Sequence, residues 1–199
     1  MSTRRTWLAA AAAGTAACTP MSMAVTPPRQ RGQPPRTIRF PNPVFRTHDG
    51  QAVRFYDDLI RGRLVIVNMM LQACTDGSCP LMTANLRAVQ QALGPRVGRD
   101  VFMYSISLQP QFDTPRSLKA YADLFGVKPG WRFLTGTPHD TESVRRSLGF
   151  YDLDPQVDAD LSQHTGMLRI GNDAYDRWIM VPALSRPRSI VDTVAQLTV

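Results

Sequence analysis

The order of apolar and polar positions divides the chain into alternating strands, continuously apolar strands and amphipathic helices. Val44 to Thr47 and Ala52 to Phe55 flank His48-Asp49-Gly50-Gln51. Asp-Gly is a turn signal, so this stretch predicts a β-hairpin. Leu64 to Met69 is apolar at every position but Asn68 and follows Gly62, the pattern of a strand covered on both faces. Beyond Asp76-Gly77, Pro80 opens a predicted helix with Leu81, Leu86, Val89 and Leu93 as apolar positions and Gly94-Pro95 as its stop. Val101 to Ser107 predicts a second buried strand.

Asp113-Thr114-Pro115 starts the next helix, with a capping side chain before Pro at the first helical position. Leu118, Tyr121, Leu124 and Phe125 form its apolar stripe, and Gly126 ends it. Trp131 to Leu134 predicts a short strand. A helix capped by Asp140 or Thr141 follows, with Val144 and Leu148 inward and Gly149 as its end. Gly166 to Ile170 and Ala174 to Val181 flank Gly171-Asn172-Asp173 as a second hairpin, and Pro187 starts a last helix with Ile190, Val191, Val194 and Leu197. Strands that alternate with helices and close on a hairpin plus helix imply an α/β protein. The arrangement expected is thioredoxin-like: a central mixed sheet flanked by helices, with an added N-terminal β-hairpin.

Composition narrows the picture. With 199 residues, 43% hydrophobic and 20% charged, the chain can build one core and is not a disordered sequence. Three cysteines are too few for a disulfide scaffold. The net charge of +7 suggests nucleic acid until it is located. Arg4, Arg5, Arg29, Arg31, Arg36 and Arg39 account for all but one of those charges. The part from residue 40 onward is therefore nearly neutral, and no nucleic-acid partner is expected.

The leader carries its own signals. Residues 1–24 read as an export signal, with Arg4-Arg5 ahead of the apolar stretch Trp7 to Ala17. Thr3-Arg4-Arg5-Thr6-Trp7-Leu8 also resembles a twin-arginine signal. Ser22-Met23-Ala24 fits a small-x-small cleavage site, whereas Thr15-Ala16-Ala17-Cys18 resembles a lipoprotein site that would anchor the chain through Cys18. Residues 25–39 read as a Pro- and Arg-rich linker, and residues 40–199 as the folded domain.

The sharpest chemical feature is Cys74-Thr75-Asp76-Gly77-Ser78-Cys79-Pro80. Five positions on a regular helix leave two side chains about 140° apart, so the sulfurs converge only if the segment is not helical throughout. Cys74 is expected on the loop leaving the first central strand and Cys79 at the cap of the following helix, where N–H groups and the helix dipole stabilise a thiolate. The pair can form a structural disulfide, do thiol redox chemistry or clasp a soft metal ion. Of the histidines, His48 reads as an exposed turn residue and His139 as a loop residue. His164 lies just before the closing hairpin, in a loop of the kind that builds sites, but by type alone it reads as an ordinary loop histidine. Met69, Met70 and Met167 lie near these motifs and read as core filling.

Cys-Pro after a central strand, Ser105-Ile106-Ser107, Asp113-Thr114-Pro115, the run Trp131 to Thr137 and His164 before a hairpin together resemble the SCO/SenC family over roughly residues 40–197. These are thioredoxin-fold copper proteins of cytochrome c oxidase assembly. The resemblance implies a metallochaperone, not an enzyme, with one copper ion per chain held by Cys74, Cys79 and His164. Its partner would be oxidase subunit II, to whose dinuclear copper site it would deliver copper or whose site cysteines it would maintain, with periplasmic copper chaperones or thiol reductases as further partners. The expected location is the periplasm, soluble or lipid-anchored. Two thiolates and an imidazole suit copper, thiolate favouring Cu(I), whereas zinc usually takes four ligands.

Two features depart from the family pattern. Four residues, Thr75 to Ser78, separate the cysteines where three are usual, and Gln109 precedes Pro110 where Asp is usual. The competing reading is an exported redox enzyme using Cys74 and Cys79. Cys74-Thr75 with a cysteine five positions on fits a peroxiredoxin-like peroxidase, but Met69 to Ala73 lacks the Pro and Thr expected there. Cys-x-x-Cys of a thiol-disulfide reductase is absent. A thioredoxin-like binding module with a structural disulfide is the third reading.

Overall fold

The computed structural model describes residues 40–72 and 77–198. The readings of residues 1–24, of the linker 25–39 and of Cys18 lie outside the described residues. No helix among the described residues is long and apolar enough to cross a membrane.

A seven-stranded mixed sheet runs in the order β2-β1-β5-β4-β3-β6-β7. Its centre is β3 (Leu64–Met70), parallel to β4 (Val101–Ser107), which is parallel to β5 (Trp131–Thr135). All seven residues of β3 are buried, which is why its sequence shows no alternation. Parallel neighbours require crossovers. Helix α1 (Ser78–Leu93) joins β3 to β4, and α2 (Pro115–Leu124) joins β4 to β5. The predicted N-terminal hairpin forms as β1 (Val44–Thr47) and β2 (Ala52–Arg54), with β1 pairing antiparallel with β5 at one edge. The closing hairpin forms as β6 (Met167–Asn172) and β7 (Arg177–Pro182), with β6 antiparallel to β3. The chain ends in α5 (Pro187–Gln196).

The corrections to the sequence reading are local. Leu81 is 62% exposed and Leu124 is 80% exposed, so neither belongs to its helix's apolar stripe. Leu81 and Leu86 are five residues apart and therefore about 140° apart around a helix. Met82, Leu86, Val89, Gln90 and Leu93 form the buried face instead. Helix α3 (Pro138–Ser147) is capped by Thr137, which accepts from the Asp140 N–H, rather than by Asp140 or Thr141. This is the same Thr-Pro start as Thr114-Pro115, where Thr114 and Ser117 form a capping box. The second hairpin turns at Asp173–Asp176, not at Gly171-Asn172-Asp173. Asn172 remains paired with both Leu64 and Arg177, and the Asp173 carboxylate accepts from the Gly62 N–H at 2.8 Å. A π-helical turn at Phe55–Ile60 replaces the predicted end of β2, and a short helix α4 (Pro155–Ala159) precedes the closing hairpin.

A buried polar chain crosses the sheet centre. Trp131 Nε1 donates to Ser105 Oγ (2.9 Å), which donates to Asn68 Oδ1 (2.7 Å), while Asn68 Nδ2 donates to the Met69 carbonyl (3.1 Å). At the end of β4, Ser107 Oγ donates to the Asp113 carboxylate at 2.5 Å. Burial pushes the Asp113 pKa up, and the Ser107 hydroxyl acts in the opposite direction.

Candidate metal centre

The sheet brings the end of β3, the start of α1 and His164 to one end. Asn68 pairs with Leu168 across antiparallel β3 and β6, so β6 begins where β3 finishes. The chain leaves β3 at Leu71 and enters α1 at Ser78, at the end of the sheet where His164 precedes Met167.

Cys79 is the second residue of α1 and is buried, 2% exposed. The N-cap is Gly77, at φ 72°. That left-handed conformation carries a steric cost for residues with a Cβ, so glycine lets the chain turn abruptly into the helix. The first turn of a helix is where N–H groups and the dipole favour a thiolate. Thr83 Oγ1 donates to the Cys79 carbonyl (3.0 Å) and bonds Tyr121 Oη (2.9 Å), fixing this turn against α2. Cys74 lies outside the described residues.

His164 closes a 3-10 turn, Leu161–His164, capped by Asp160, whose carboxylate accepts from the Ser162 N–H. The Ser162 hydroxyl and the other bonds to this carboxylate hold the Asp160 pKa below the usual range. Asp154 caps α4 in the same way through the Gln156 N–H. His164 itself is 5% exposed. Its Nε2 lies 2.9 Å from the Asp158 carbonyl and 3.0 Å from Arg145 Nη1.

Counting donors assigns the tautomer. A guanidinium has five N–H groups. Arg145 directs Nε and Nη2 to Glu142 (2.7 and 2.8 Å), Nη1 to the Phe150 carbonyl (2.7 Å), and Nη1 and Nη2 to Asp158 (2.8 and 3.1 Å). All five are used without His164. The imidazole therefore keeps its proton on Nε2 and donates it to the Asp158 carbonyl. Nδ1 carries the lone pair, and no described residue hydrogen-bonds it. A metal-binding histidine characteristically gives its second ring N–H to a carbonyl or carboxylate, and His164 is arranged this way.

Arg145, 3% exposed at its side chain, and Asp158, 9% exposed, form the ion pair behind this bond. The Arg145 hydrogen bonds hold the Asp158 carboxyl well below the usual carboxylate range, with the Asp152 N–H adding to the effect. The Asp158 bond in turn raises the Arg145 pKa against the opposing cost of burial. Glu142 is lowered by Arg145 first and by Arg146 as well. Arg145, Asp158 and Glu142 did not emerge from the sequence as site residues. The legible signal was Asp154-Pro155, a cap-and-proline start that marks α4 and so the segment carrying Asp158.

The other candidates take different places. His48 is not an exposed turn residue: its side chain is 10% exposed and its Nδ1 accepts from the Phe133 N–H at 2.9 Å. Burial lowers its pKa against the pull of Asp49. His139 is exposed in the first turn of α3 rather than in a loop. Met69 and Met70 are core, as expected. Met167 is half-buried and, with His164, Phe150, Tyr151, Gln163 and Met180, borders a cleft of about 150 Å³.

A mixed sheet with three central parallel strands, crossover helices and a closing hairpin makes this a thioredoxin-like α/β protein. The sequence matches the SCO1/SenC family over residues 40–198. The chain belongs to that family. A SCO1 protein homolog of Bacillus subtilis is 30% identical over 94 residues, 47% of this chain and 47% of the relative, so the match spans about half the relative's length. Among solved structures, a SCO1/SenC family lipoprotein from Bacillus anthracis superposes with a TM-score of 0.64 at 21% identity, covering 80% of this chain and 95% of that one. Copper-bound yeast Sco1 superposes with a TM-score of 0.60 at 18% identity, covering 80% and 92%. At these identities the structural likeness establishes the fold.

Proposed function

We propose that this protein is a copper-binding assembly factor whose cargo ion is held by Cys74, Cys79 and His164. The observation that carries the reading is His164. Its ring is fixed through Nε2 by the Asp158 carbonyl, leaving Nδ1 as a lone-pair donor at the sheet end from which the cysteine loop departs. Cys79 in the first turn of α1 supplies a thiolate, and Cys74 supplies the second. Two thiolates and one imidazole form a soft set suited to Cu(I), short of the fourth ligand that zinc prefers. Three-coordination leaves room for a partner's ligand, so the ion can leave by exchange. Family membership supports the reading, as does copper in yeast Sco1. The recipient is the dinuclear copper site of cytochrome c oxidase subunit II. The protein acts outside the cytoplasmic membrane, exported by residues 1–24 or anchored through Cys18.

The test is competition for Cu(I) between the reduced protein and a chromophoric chelator. One copper per chain is expected, with affinity falling at least tenfold in Cys74→Ser, Cys79→Ser and His164→Ala. Binding that is indifferent to His164, or no binding in competition, overturns the reading. A thiol redox role for Cys74 and Cys79 would then be tested by peroxide and disulfide turnover.

A further inference from the structure

We propose that the cleft beside His164 is a second Cu(I)-holding position, formed by His164 Nδ1 and the thioethers of Met167 and Met180. All three residues line the same cleft of about 150 Å³. Strand register explains why the methionines meet there. Met167 pairs with Pro182, and Arg169 with Met180, across antiparallel β6 and β7. Opposed residues project from the same face, and side chains two apart in a strand share a face. Met167 and Met180 are therefore diagonal neighbours on one face, about 7–8 Å apart at the backbone. Two unbranched, flexible side chains can close that gap around one ion.

The chemistry of the set is coherent. Both methionines are half-buried, unlike Met69 and Met70, which are sealed in the core. His164 brings a nitrogen lone pair, because its one proton is committed to the Asp158 carbonyl. Two thioether sulfurs and a neutral imidazole select a soft monovalent ion over Zn²⁺ or Mg²⁺. Asp152 also lines the cleft, with its carboxylate accepting from the Asp154 N–H. No thiol takes part, so this position holds copper whether Cys74 and Cys79 are reduced or joined in a disulfide. Movement of Cu(I) from one set to the other exchanges two thioethers for two thiolates around a shared His164, with no change in oxidation state.

The inference rests on the copper reading for the metal and for the shared histidine. It is tested with Cu(I), and with Ag(I) as a redox-inert probe, on the full chain carrying Cys18→Ser, Cys74→Ser and Cys79→Ser. One ion per folded, cysteine-free chain is expected, weakened at least tenfold by Met167→Leu with Met180→Leu and by His164→Ala. A folded, cysteine-free chain that binds neither ion, or binds it equally well without the two methionines, overturns the proposal. Because Cys79 is buried, the same question is put to the unsubstituted protein with ¹³C-methyl methionine. With Cys74 and Cys79 joined in a disulfide, one equivalent of Ag(I) is expected to shift the Met167 and Met180 methyl signals, and their failure to move overturns the proposal. Failure of the three-ligand site reads out separately, as first-equivalent binding insensitive to Cys74→Ser.

Discussion

Replacing Arg145 with Met tests the electrostatic cluster behind His164. The substitution keeps an unbranched apolar stem of similar length and removes the guanidinium. It leaves the Phe150 carbonyl without its 2.7 Å donor and takes two hydrogen bonds from the Asp158 carboxylate. Breaking a buried pair by removing one partner typically costs about 3–5 kcal/mol. Two features reduce that here. Arg146 Nη2 still donates to Asp158 Oδ2 at 2.6 Å, and the Asp152 N–H still donates to Oδ1 at 3.0 Å. Asp158 also borders an open cleft of about 450 Å³ with Glu142 and Arg146, so water can partly solvate it. The expected loss is therefore about 2–4 kcal/mol, near 5–15 °C in Tm for a domain of this size.

The assay is urea unfolding of the metal-free protein, wild type against Arg145→Met, Asp158→Leu and the double variant. Once both charges are gone no unpaired ion remains, so the double variant should be more stable than the sum of the single losses predicts, by about 1 kcal/mol or more. An Arg145→Met loss below about 0.5 kcal/mol, comparable with an ordinary surface change, refutes the argument. So does strict additivity in the double variant, because it would mean that Arg145 and Asp158 do not depend on one another.

Other perturbations address separate parts of the fold. Ser105→Ala removes the hydroxyl between Trp131 Nε1 and Asn68 Oδ1; leaving both unsatisfied should cost about 2 kcal/mol in urea unfolding, and a near-zero change would refute that accounting. Thr114→Ala removes the α2 capping box and should cost about 1 kcal/mol, measured as a lower Tm. His48 has a lowered folded-state pKa, so the unfolded chain takes up a proton first on acidification: stability should fall as pH drops below the unfolded value of about 6.5, and His48→Gln should flatten that slope. Gly171→Ala drives a Cβ into the Trp178 indole; it should push the indole from its site against Phe40 and red-shift the emission assigned to it by comparison with Trp178→Phe.

The fold was legible because burial on both faces and helix punctuation leave strong marks. The mainly apolar runs from Leu64 and from Val101 became β3 and β4, which are buried at every position but Phe102. What failed was phase and closure. Residue type puts Leu81 and Leu124 on the apolar stripes; the helical period already sets Leu81 about 140° from Leu86, and Leu81 and Leu124 are 62% and 80% exposed. The hairpin turn lies at Asp173 rather than Gly171 because the Asp173 carboxylate is claimed by the Gly62 N–H, 111 positions away. No local turn rule contains that contact.

The site divides along the same line. Cys74 and Cys79 announce themselves by type and spacing, whereas His164 reads by type as an ordinary loop histidine and is singled out only by the family resemblance. Arg145 does not stand out, because an arginine after Val144 on a charged helix reads as part of a solvated face. Its importance comes from a coincidence of three segments: Glu142 one turn back, the Phe150 carbonyl just past the helix, and Asp158 on α4. Together they use every N–H of the guanidinium, so the His164 Nε2 beside it donates to the Asp158 carbonyl. The histidine itself is visible in the sequence, whereas the guanidinium packed against its Nε2 lies 19 residues away in sequence. The same separation hides Met180, which is 16 residues from His164 and enters the cleft only through the β6–β7 register. Reading residue types therefore finds the donors, and only packing tells which lone pairs they have left to give.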